Sequence, residues 1–292
     1  MIKRPIGIAG AGRIGQSIGR LLYQAGSPVV AVASRTTEKA AKAAEFIGAG
    51  VRPVAYEELP SFCSRLIVAV PDDAVRPVAS LLAQSGWQGG TVIHTCGVHG
   101  LDVLKCLQEK GTSCAALHPL QTVPSPERGQ TALIGCLYVL TGEGEAGRWA
   151  REIVELLHGR LLEIPNESRP LYHAAAVLIC NDLVVLLEAG LRLLEQAGLT
   201  REEAASGFKI LAQQSVNNVF DMNRGMALTG PIVRGDLGTI ECHLRALAAN
   251  SNLEEVENIY RVLGLYAVRL AAEQGLDGIR ARKLNALLKE QE

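Results

Sequence analysis

Two histidines and an asparagine have the side chains that reduction of a carbonyl or imine requires: a proton donor and a group that polarises the double bond. His118 follows the apolar run Cys114–Leu117, which predicts that it emerges at the end of a buried strand with Gln121 close behind it. His173 and Asn181 lie two turns apart, roughly 80° around a regular α-helix, so we expect them on one broad face. We predict His118, His173 and Asn181 as catalytic residues and Gln121 as a substrate contact.

Each of these residues also has a structural interpretation. His118 precedes Pro119 and suits a simple turn, and His173 suits an exposed position at the start of its helix. Asn181 lies inside the apolar stretch LICNDL, where a buried amide would need a hydrogen-bond partner. A partner supplied by a substrate is one way to meet that need, so the functional interpretation stays beside the structural one.

A polar, glycine-rich loop lies further along the chain, at 229–236. It offers a hydroxyl, backbone N–H groups and a guanidinium, which together suit a substrate carboxylate. The alternative is an ordinary turn in which Asp236 caps the following helix, and both can hold. The predicted substrate contacts in this loop are Thr229, Gly230, Arg234 and Asp236.

The strongest local motif is Gly10-Ala11-Gly12-Arg13-Ile14-Gly15, directly after the run IGIA and directly before a helical stretch. In such a motif the first glycine allows a tight turn, the second lets the backbone approach a pyrophosphate, and the third lets helix and strand pack closely. The helix N-terminus adds free N–H groups for the phosphates. The motif predicts a dinucleotide, and the alternative is a glycine turn in a sheet without a ligand.

The second strand ends in Ser34-Arg35-Thr36, where an NAD site usually has an acidic residue for the ribose hydroxyls. A guanidinium and two hydroxyls suit a 2′-phosphate instead, which predicts NADP(H) as the cofactor. The alternative is an exposed arginine at the start of a solvated helix.

Two further strand ends are expected to line the nicotinamide side of the site. Val70 and Pro71 end one strand, and Thr95 and Gly97 end the next, at the edge where such sheets bind ligands. Asp72 suits a cap of the following helix at least as well as a catalytic role. Cys96 is disfavoured as a nucleophile because no base is identifiable beside it.

Short β-rich runs alternate with helical stretches from Pro5 to about Pro165, an order typical of a mostly parallel, doubly wound α/β sheet. Shorter connections between the later strands predict some antiparallel pairing near one edge. Helices are predicted at Ile14–Ala25 and Asp73–Gln84. The predicted strands are Ile6–Ala9, Val29–Ala33, Leu66–Val70, Thr91–Thr95, Cys114–Leu117, Leu137–Thr141 and Leu161–Ile164.

The sequence after Pro165 shows helical periodicity without strand alternation, which predicts an all-α C-terminal domain. We expect a dinucleotide-binding Rossmann domain at 1–165 and a helical substrate and dimerisation domain at 166–292, with a hinge at Pro165–Pro170. The helix Tyr172–Ala197 is so apolar over Ala174–Leu187 that we expect a homodimer to bury part of it. The other predicted helices are Thr200–Asn223, Asp236–Ala249, Leu253–Gln274 and Ile279–Lys289.

Composition restricts the classes of partner. The 29 Lys and Arg residues balance 30 Asp and Glu, which disfavours nucleic acid and anionic membranes. The seven cysteines form no CxxC pair and no Cys/His cluster, so we expect reduced thiols and no metal. The chain enters a strand without a signal peptide, and no apolar stretch looks clean enough to span a bilayer. These features predict a cytoplasmic enzyme.

Five segments together resemble a known group of proteins: GAGRIG (10–15), VAVPDD (68–73), HPLQT (118–122), YHAAAVLICN (172–181) and TGPIVRGD (229–236). The chain resembles Rossmann-like reductases whose helical C-terminal half is a domain of unknown function. It is similar in layout to ketopantoate reductase, pyrroline-5-carboxylate reductase and the 6-phosphogluconate dehydrogenase superfamily. The resemblance implies an NADP-dependent oxidoreductase.

One departure from that group concerns the proton donor. Ketopantoate reductase and the hydroxyacid dehydrogenases carry a lysine on the first interdomain helix, with an asparagine about one turn later. Asn181 fits the asparagine, but the position one turn earlier is Val177 and the helix has no lysine. His173 is the predicted replacement as general acid.

The combined prediction is NADPH-dependent reduction of a small 2-oxo acid, with ketopantoate, an intermediate of pantothenate biosynthesis, as the first candidate. Arg234 and Thr229 would hold the carboxylate, Asn181 would polarise the carbonyl, and His173 or His118 would supply the proton. Three alternatives stay open: a cyclic imine of the pyrroline type as substrate, a deazaflavin in place of the nicotinamide, and a protein that senses NADP(H) without turnover.

Overall fold

A computed structural model describes residues 4–222 and 226–289 of the chain. They form two compact units, Met1–Leu178 and Ile179–Glu292. The first unit is built on one eight-stranded sheet, and the second is helical throughout its described residues. The predicted fold class, a Rossmann domain followed by an all-α domain, is confirmed.

The sheet has the strand order β3-β2-β1-β4-β5-β6-β7-β8. The first six strands in that order run parallel, β7 runs antiparallel to β6, and β8 runs parallel to β7. The expected antiparallel pairing near one edge is therefore present. The strands are β1 Ile6–Ala9, β2 Val29–Ala33, β3 Arg52–Val54, β4 Arg65–Val68, β5 Thr91–His94, β6 Ser113–Leu120, β7 Leu137–Thr141 and β8 Arg160–Glu163.

Two strands differ from the prediction for identifiable reasons. β3 was not predicted because it is three residues long and contains Pro53, which a sheet tolerates at its edge, where β3 lies. β6 continues three residues beyond the predicted end because it pairs with β7 as far as Leu120. His118 is therefore inside this strand, opposite Val139, and does not follow the strand as expected.

Helices connect the strands and cover apolar faces of the sheet. The strands β1, β2, β4 and β5 are nearly continuous in buried residues, as expected for a sheet covered on both faces. Short 3₁₀ turns of three or four residues precede three of the helices listed next, α3, α5 and α8. These turns are Tyr56–Glu58, Leu101–Leu104 and Asn166–Ser168. The helices of this unit are α1 Arg13–Gln24, α2 Thr37–Ile47, α3 Leu59–Phe62, α4 Asp72–Gln84, α5 Lys105–Gln108, α6 Pro126–Ala132, α7 Gly144–Leu156 and α8 Arg169–Val177.

The described residues of the second unit contain five longer helices, all of them predicted, and one short helix that was not predicted. A small core of Ile240, Leu244, Val268, Leu284 and Leu288 holds three of them together. The last residue of the predicted helix Thr200–Asn223, Asn223, lies outside the described residues. The helices are α9 Leu183–Gln196, α10 Arg201–Asp221, α11 Pro231–Arg234, α12 Leu237–Ala248, α13 Glu254–Glu273 and α14 Gly278–Lys289, with a 3₁₀ turn at Ser251–Leu253.

The predicted helix Tyr172–Ala197 begins earlier and is not uniform. It starts at Arg169, inside the segment expected to be a hinge, because Pro170 is tolerated in the first turn of a helix. A π-helical turn at Leu178–Asp182 then separates α8 from α9, and the two compact units divide at Leu178 within it. The regular-helix offset between His173 and Asn181 therefore does not apply, since a π turn holds more residues than an α turn.

One buried side chain fixes the segment Pro165–Pro170, which was predicted to be a hinge, to the first unit. Arg169 is fully buried, and its guanidinium donates to the Cys96 carbonyl at 2.7 Å and to the Thr141 hydroxyl at 3.1 Å. These bonds fix the first turn of α8 to the Rossmann domain. The helix therefore belongs to that domain until the π turn.

The helical stretch Asn166–Gln196 is long and apolar enough, by length and composition, to cross a membrane. Its most apolar window has a mean hydropathy of 1.9, and 6% of that window is buried. The expectation that no stretch has this property was wrong. Arg169 nevertheless anchors one end of the stretch within the Rossmann domain, and Glu188 near the other end pairs with Arg201 of α10.

Candidate active site

The glycine loop between β1 and α1 has two glycines that the fold requires and one that it does not. Gly10 has φ +123°, and Gly15 packs so closely on the Gly10 carbonyl that a Cβ would collide with it. Gly12 has an ordinary φ of −80°, and a Cβ there would approach only the Ala69 carbonyl oxygen, at 3.9 Å. Because neither backbone strain nor packing requires glycine at 12, close approach of a ligand is the physical reason that remains.

The N-terminus of α1 is free to bind an anion. Gly12 is the N-cap residue, and neither a side-chain cap nor an acidic residue occupies the first turn. Gly12 and Arg13 are exposed, and Ala11 and Ile14 are half-buried. The positive end of the helix dipole and its unpaired amides therefore face outward, as a pyrophosphate requires.

The end of β2 presents a cation and hydroxyls. Ser34 is half-buried one residue beyond the end of the strand, and Arg35 is exposed two residues beyond it. The Thr36 hydroxyl accepts from the Lys39 amide at 3.4 Å and caps α2. The hydroxyl acts only as an acceptor in this cap, so Thr36 can still donate its proton to a 2′-phosphate, beside Ser34 and Arg35.

The carboxyl ends of β4 and β5 lie side by side, as predicted. The Thr95 amide donates to the Val68 carbonyl at 3.0 Å, which holds the start of the next loop beside Ala69 and Val70. Pro71 is the N-cap residue of α4, and the helix begins at Asp72 without a side-chain cap. The predicted capping role of Asp72 is therefore wrong, since this residue is already the first of the helix.

The loop after β5 is fixed by a buried histidine. The Cys96 amide donates to His94 Nδ1 at 3.2 Å, so Nε2 carries the proton that is shared with the Gly100 carbonyl at 3.0 Å. Burial lowers the pKa of His94 to about 4, which keeps the ring neutral. Burial also raises the pKa of the Cys96 thiol to about 12, which is opposite to what a nucleophilic thiolate needs.

The structure brings together His118 and His173, which are 55 positions apart in the sequence, over Gly97. A Cβ at Gly97 would lie 3.1 Å from His118 Nε2 and 2.9 Å from His173 Nε2, so only a glycine leaves room for both rings. The ring centroids of the two histidines are 5.9 Å apart. His118 Nδ1 forms a 2.7 Å hydrogen bond with the Tyr172 hydroxyl.

Both partners of that hydrogen bond are uncharged near neutral pH. Burial, followed by the charges of Arg169 and His173, lowers the pKa of His118 to about 4, although Asp72 opposes this shift. Burial raises the pKa of Tyr172 to about 12, while Arg169 acts in the opposite direction. The pair therefore has two exchangeable protons to share and no net charge.

The predicted residues of the second unit have different surroundings. Asn181 is exposed, so a buried amide in need of a partner is not what the structure shows. Asp236 caps α12 by accepting from the Thr239 amide at 3.4 Å, which confirms the structural interpretation. Arg234 is exposed and lies 4.0 Å from the Asp236 carboxylate. Gln121, in the first unit, is exposed and accepts from the Thr122 amide.

Thr229 lines a cavity of about 430 Å³ formed within the second unit. The walls are almost entirely apolar side chains of α9, α11, α12 and α13. A hydrogen bond of 2.8 Å between His243 Nδ1 and the Tyr260 hydroxyl supplies a polar group in the lining. Gly230, with φ +102°, begins the α11 turn that forms one wall.

Two family models match separate parts of the chain. Residues 5–96 match the family described as NADP oxidoreductase, coenzyme F420-dependent. Residues 136–267 match a domain family of unknown function, DUF2520. The chain has the domain arrangement of the Rossmann-like reductases. The predicted resemblance is thereby confirmed, and the first match confirms NADP(H) as the cofactor expected of the N-terminal domain.

Solved structures show the same fold over nearly the whole chain. A Bacteroides fragilis protein described as an NADP oxidoreductase has 22% identity and a TM-score of 0.70, covering 97% of this chain and 98% of its own. A reductive aminase from Aspergillus terreus, in complex with NADPH and ethyl-5-oxohexanoate, has 17% identity and a TM-score of 0.60, with 98% and 93% covered. An imine reductase from a Pseudomonas species has 16% identity, the same TM-score and the same coverage. The comparison with curated proteins gave no match.

Three residues of the site were not predicted from the sequence. Arg169 belongs to the segment predicted as a hinge, Tyr172 was assigned only to a helix, and His94 was assigned only to a strand. Tyr172 precedes His173 and could have been noted as a second proton donor. No sequence signal indicates that Arg169 is buried.

The different roles of the loop glycines give a first prediction. Gly12→Ala should leave the melting temperature within about 2 °C of the parent, because ordinary surface-like substitutions change stability little. It should weaken NADPH binding at least about tenfold, because the methyl group occupies the approach path of the pyrophosphate. Gly15→Ala is the matched control and should lower stability by about 1–3 kcal/mol through overpacking. Calorimetry and NADPH titration measure both; unchanged NADPH affinity in Gly12→Ala would contradict the assignment.

The residues after β2 give a second prediction. Arg35→Asp should weaken NADPH binding by about 10- to 100-fold, because it removes a charge-assisted contact and adds repulsion of the 2′-phosphate. NADH binding should change much less. Arg148→Asp, an exposed arginine of α7, is the control for net charge. Titration of all three proteins with both cofactors decides the point, and equal losses for NADPH and NADH in Arg35→Asp would refute it.

Proposed function

We propose that this protein is an NADPH-dependent oxidoreductase that reduces the C=O or C=N bond of a small molecule. The supporting observation is the neutral His118–Tyr172 pair with His173 over Gly97, in the domain whose glycine loop fits a dinucleotide. His118, Gly97 and the glycine loop all belong to the carboxyl-end edge of the parallel strands. Cofactor groups and proton donors thus share one edge of one domain.

The residues of the chain divide the work of such a reaction. When bound, NADPH supplies the hydride. Gly10–Gly15 and the α1 N-terminus bind the pyrophosphate, and Ser34 and Arg35 bind the 2′-phosphate. Val70, Pro71, Thr95 and Gly97 form the floor beside the nicotinamide. His118 or His173 gives a proton to the oxygen or nitrogen of the substrate, so that the product leaves as a neutral alcohol or amine.

For the substrate, the first candidate is a small 2-oxo acid, with ketopantoate as its test case. Arg234 is exposed and its only acidic neighbour among the described ion pairs is 4.0 Å away, so its guanidinium is available to a carboxylate. In this proposal Thr229, Gly230, Asp236 and Gln121 contribute further substrate contacts, and Asn181 polarises the carbonyl. The protein would then act in pantothenate biosynthesis.

An imine is the second candidate, and a specific observation favours it. Two of the solved structures with this fold are a reductive aminase and an imine reductase, each matched over 98% of this chain. The apolar cavity of the second unit also suits a substrate with more hydrocarbon than a short 2-oxo acid has. A protein that senses NADP(H) without turnover is the non-enzymatic alternative.

A substrate panel separates these functions and gives a third prediction. NADPH oxidation is followed with ketopantoate, other 2-oxo acids, cyclic imines and a carbonyl with an added amine. We expect turnover of at least one class, and His118→Asn should lower kcat by about 10²- to 10⁴-fold without changing the Kd of NADPH. His158→Asn is the matched control, because His158 is exposed, lies just before β8 and is not one of the proposed site residues. Tight NADPH binding without any turnover would favour the sensor.

We also propose a homodimer formed through the second unit. Its helices α9 and α10 expose many large apolar side chains, more than a stable monomer surface usually carries. Among the most exposed are Val184 (64%), Ile210 (74%), Val219 (63%) and Phe220 (71%). A second copy would bury these apolar faces of α9 and α10. The proposed compartment for this protein is the cytoplasm.

Disruption of these faces gives a fourth prediction. Val185→Asp combined with Ile210→Asp should convert a dimer to a monomer, because each places a charge in an apolar interface. Ile134→Asp, at an exposed isoleucine of the first unit, is the matched control and should leave the mass unchanged. Light scattering at micromolar concentration measures the mass. A monomeric parent protein, or association only with lipid vesicles, would remove the proposal.

A further inference from the structure

Arg169 is a buried cation without an acidic partner. Its side chain has no exposed surface, and its two described hydrogen bonds go to a carbonyl and a hydroxyl. Its Nε is buried and has no hydrogen-bond partner among the described residues. No carboxylate is among the groups that affect its pKa, which burial lowers. A guanidinium in such a place is costly unless a negative charge forms close to it.

The group where such a charge can form is on the same helix. Tyr172 is three residues after Arg169, and residues at this spacing are neighbours on a helix surface. The Tyr172 hydroxyl is hydrogen-bonded to His118 Nδ1, and His118 Nε2 is the ring nitrogen beside Gly97. Two groups that can move protons, Tyr172 and His118, therefore lie between the buried positive charge of Arg169 and the edge of the cofactor site at Gly97.

We propose that Tyr172 supplies the proton of the reduction through His118, and that Arg169 is a positioning residue whose charge stabilises the resulting phenolate. The proposal rests on the proposed reductase function and identifies the proton donor that the absent lysine leaves open. His118 is the catalytic residue that touches the substrate, and Tyr172 and Arg169 act through it.

The step balances without a further reactant. As hydride reaches the substrate carbon, the π electrons of the C=O or C=N bond move to oxygen or nitrogen. That atom takes the Nε2 proton of His118, and His118 Nδ1 takes the hydroxyl proton of Tyr172. His118 is left neutral in its other tautomer, and Tyr172 is left as a phenolate. The phenolate regains a proton from water after the product leaves.

The surroundings of His118 favour a relay over a histidine that is protonated beforehand. Besides Tyr172 and Arg169, the titratable groups that affect it are His173 on α8 and Asp72 on α4. Arg169 and His173 lower the pKa of His118, and Asp72 raises it. Nearby, His94 is neutral and Cys96 is a buried thiol. A neutral His118 can donate only if another group returns a proton to it, and Tyr172 is the group bonded to its second nitrogen.

The pH dependence of kcat tests the relay and gives the fifth prediction. The parent enzyme should have a flat profile between about pH 5 and 9, because the pKa values of His118 and Tyr172 are about 4 and about 12. Tyr172→Phe keeps the ring but removes the proton, so kcat at neutral pH should fall about 100-fold. Its remaining activity should rise toward acid pH, where His118 carries its own proton. A parent-like flat profile and kcat in Tyr172→Phe would overturn the proposal.

Substitution of Arg169 separates charge from packing. Arg169→Lys should retain a substantial part of kcat, whereas Arg169→Met should lose at least about tenfold with little change in KM. Arg151→Met, at an exposed arginine paired with Glu163, is the matched control. Equal losses in the Lys and Met variants would show that Arg169 acts only by packing, and would overturn its role.

A readout that does not need turnover covers the case in which the proposed function fails. Histidine NMR titration reports the pKa of His118 with and without NADPH. Loss of the Arg169 charge should raise that pKa in Arg169→Met, and Arg169→Lys should stay close to the parent. If no substrate is reduced, the reductase function fails while this titration still decides the electrostatic coupling. No difference between the Met variant and the parent refutes the coupling itself. If the Arg169 variants do not fold, Tyr172→Phe, which removes one oxygen atom, still tests the relay through the pH profile of kcat.

Discussion

The buried guanidinium of Arg169 is the interaction on which the geometry of the site depends. It joins the loop after β5, through the Cys96 carbonyl, to the end of β7, through the Thr141 hydroxyl. Because Arg169 opens α8, these two bonds also set where Tyr172 and His173 lie. The two histidines can then meet over Gly97 only because that residue has no side chain. A single buried cation thus organises three segments that are distant in sequence.

The same interaction determines where the chain divides. With the first turn of α8 fixed in the sheet domain, the change to the second unit occurs at the π-helical turn Leu178–Asp182. Such turns are frequent at functional sites, since they change the direction of side chains without ending a helix. The helix that continues as α9 is strongly apolar and largely exposed. The anchoring of α8 and the exposed apolar surface of α9 both fit the proposed homodimer, because a helix that is fixed at one end can present the rest of its length to a second chain.

The cofactor part of the site follows a different logic. The parallel strands β1, β2, β4 and β5 end at one edge, and the glycine loop, Arg35, Val70 and Thr95 follow these ends. Each segment is local, so its chemistry is independent of the rest of the fold. This independence explains why a dinucleotide site can be combined with different proton donors. The missing lysine on the interdomain helix therefore leaves the cofactor loop unchanged, and in the proposed mechanism β6 and α8 supply the proton donor.

The sequence by itself determined the fold class, most strand and helix positions, and the cofactor loop, because each depends on periodicity or on a short motif with fixed backbone geometry. It also predicted His118 and His173 as proton donors, from residue type and position, and this stays a proposal. It did not indicate β3, the π turn or the extension of β6, since pairing with neighbouring strands and local helix widening are tertiary effects.

Only the tertiary structure decided which polar groups meet. Tyr172 and His118 are 54 positions apart, and their hydrogen bond exists because the first turn of α8 lies beside the end of β6. Asn181 has the residue type expected of the site, and the structure places it, exposed, within the π-helical turn. Arg169 shows the limit most clearly: nothing in a single sequence distinguishes a buried arginine from a solvated one. Burial depends on what packs around a side chain, and only the folded chain specifies that.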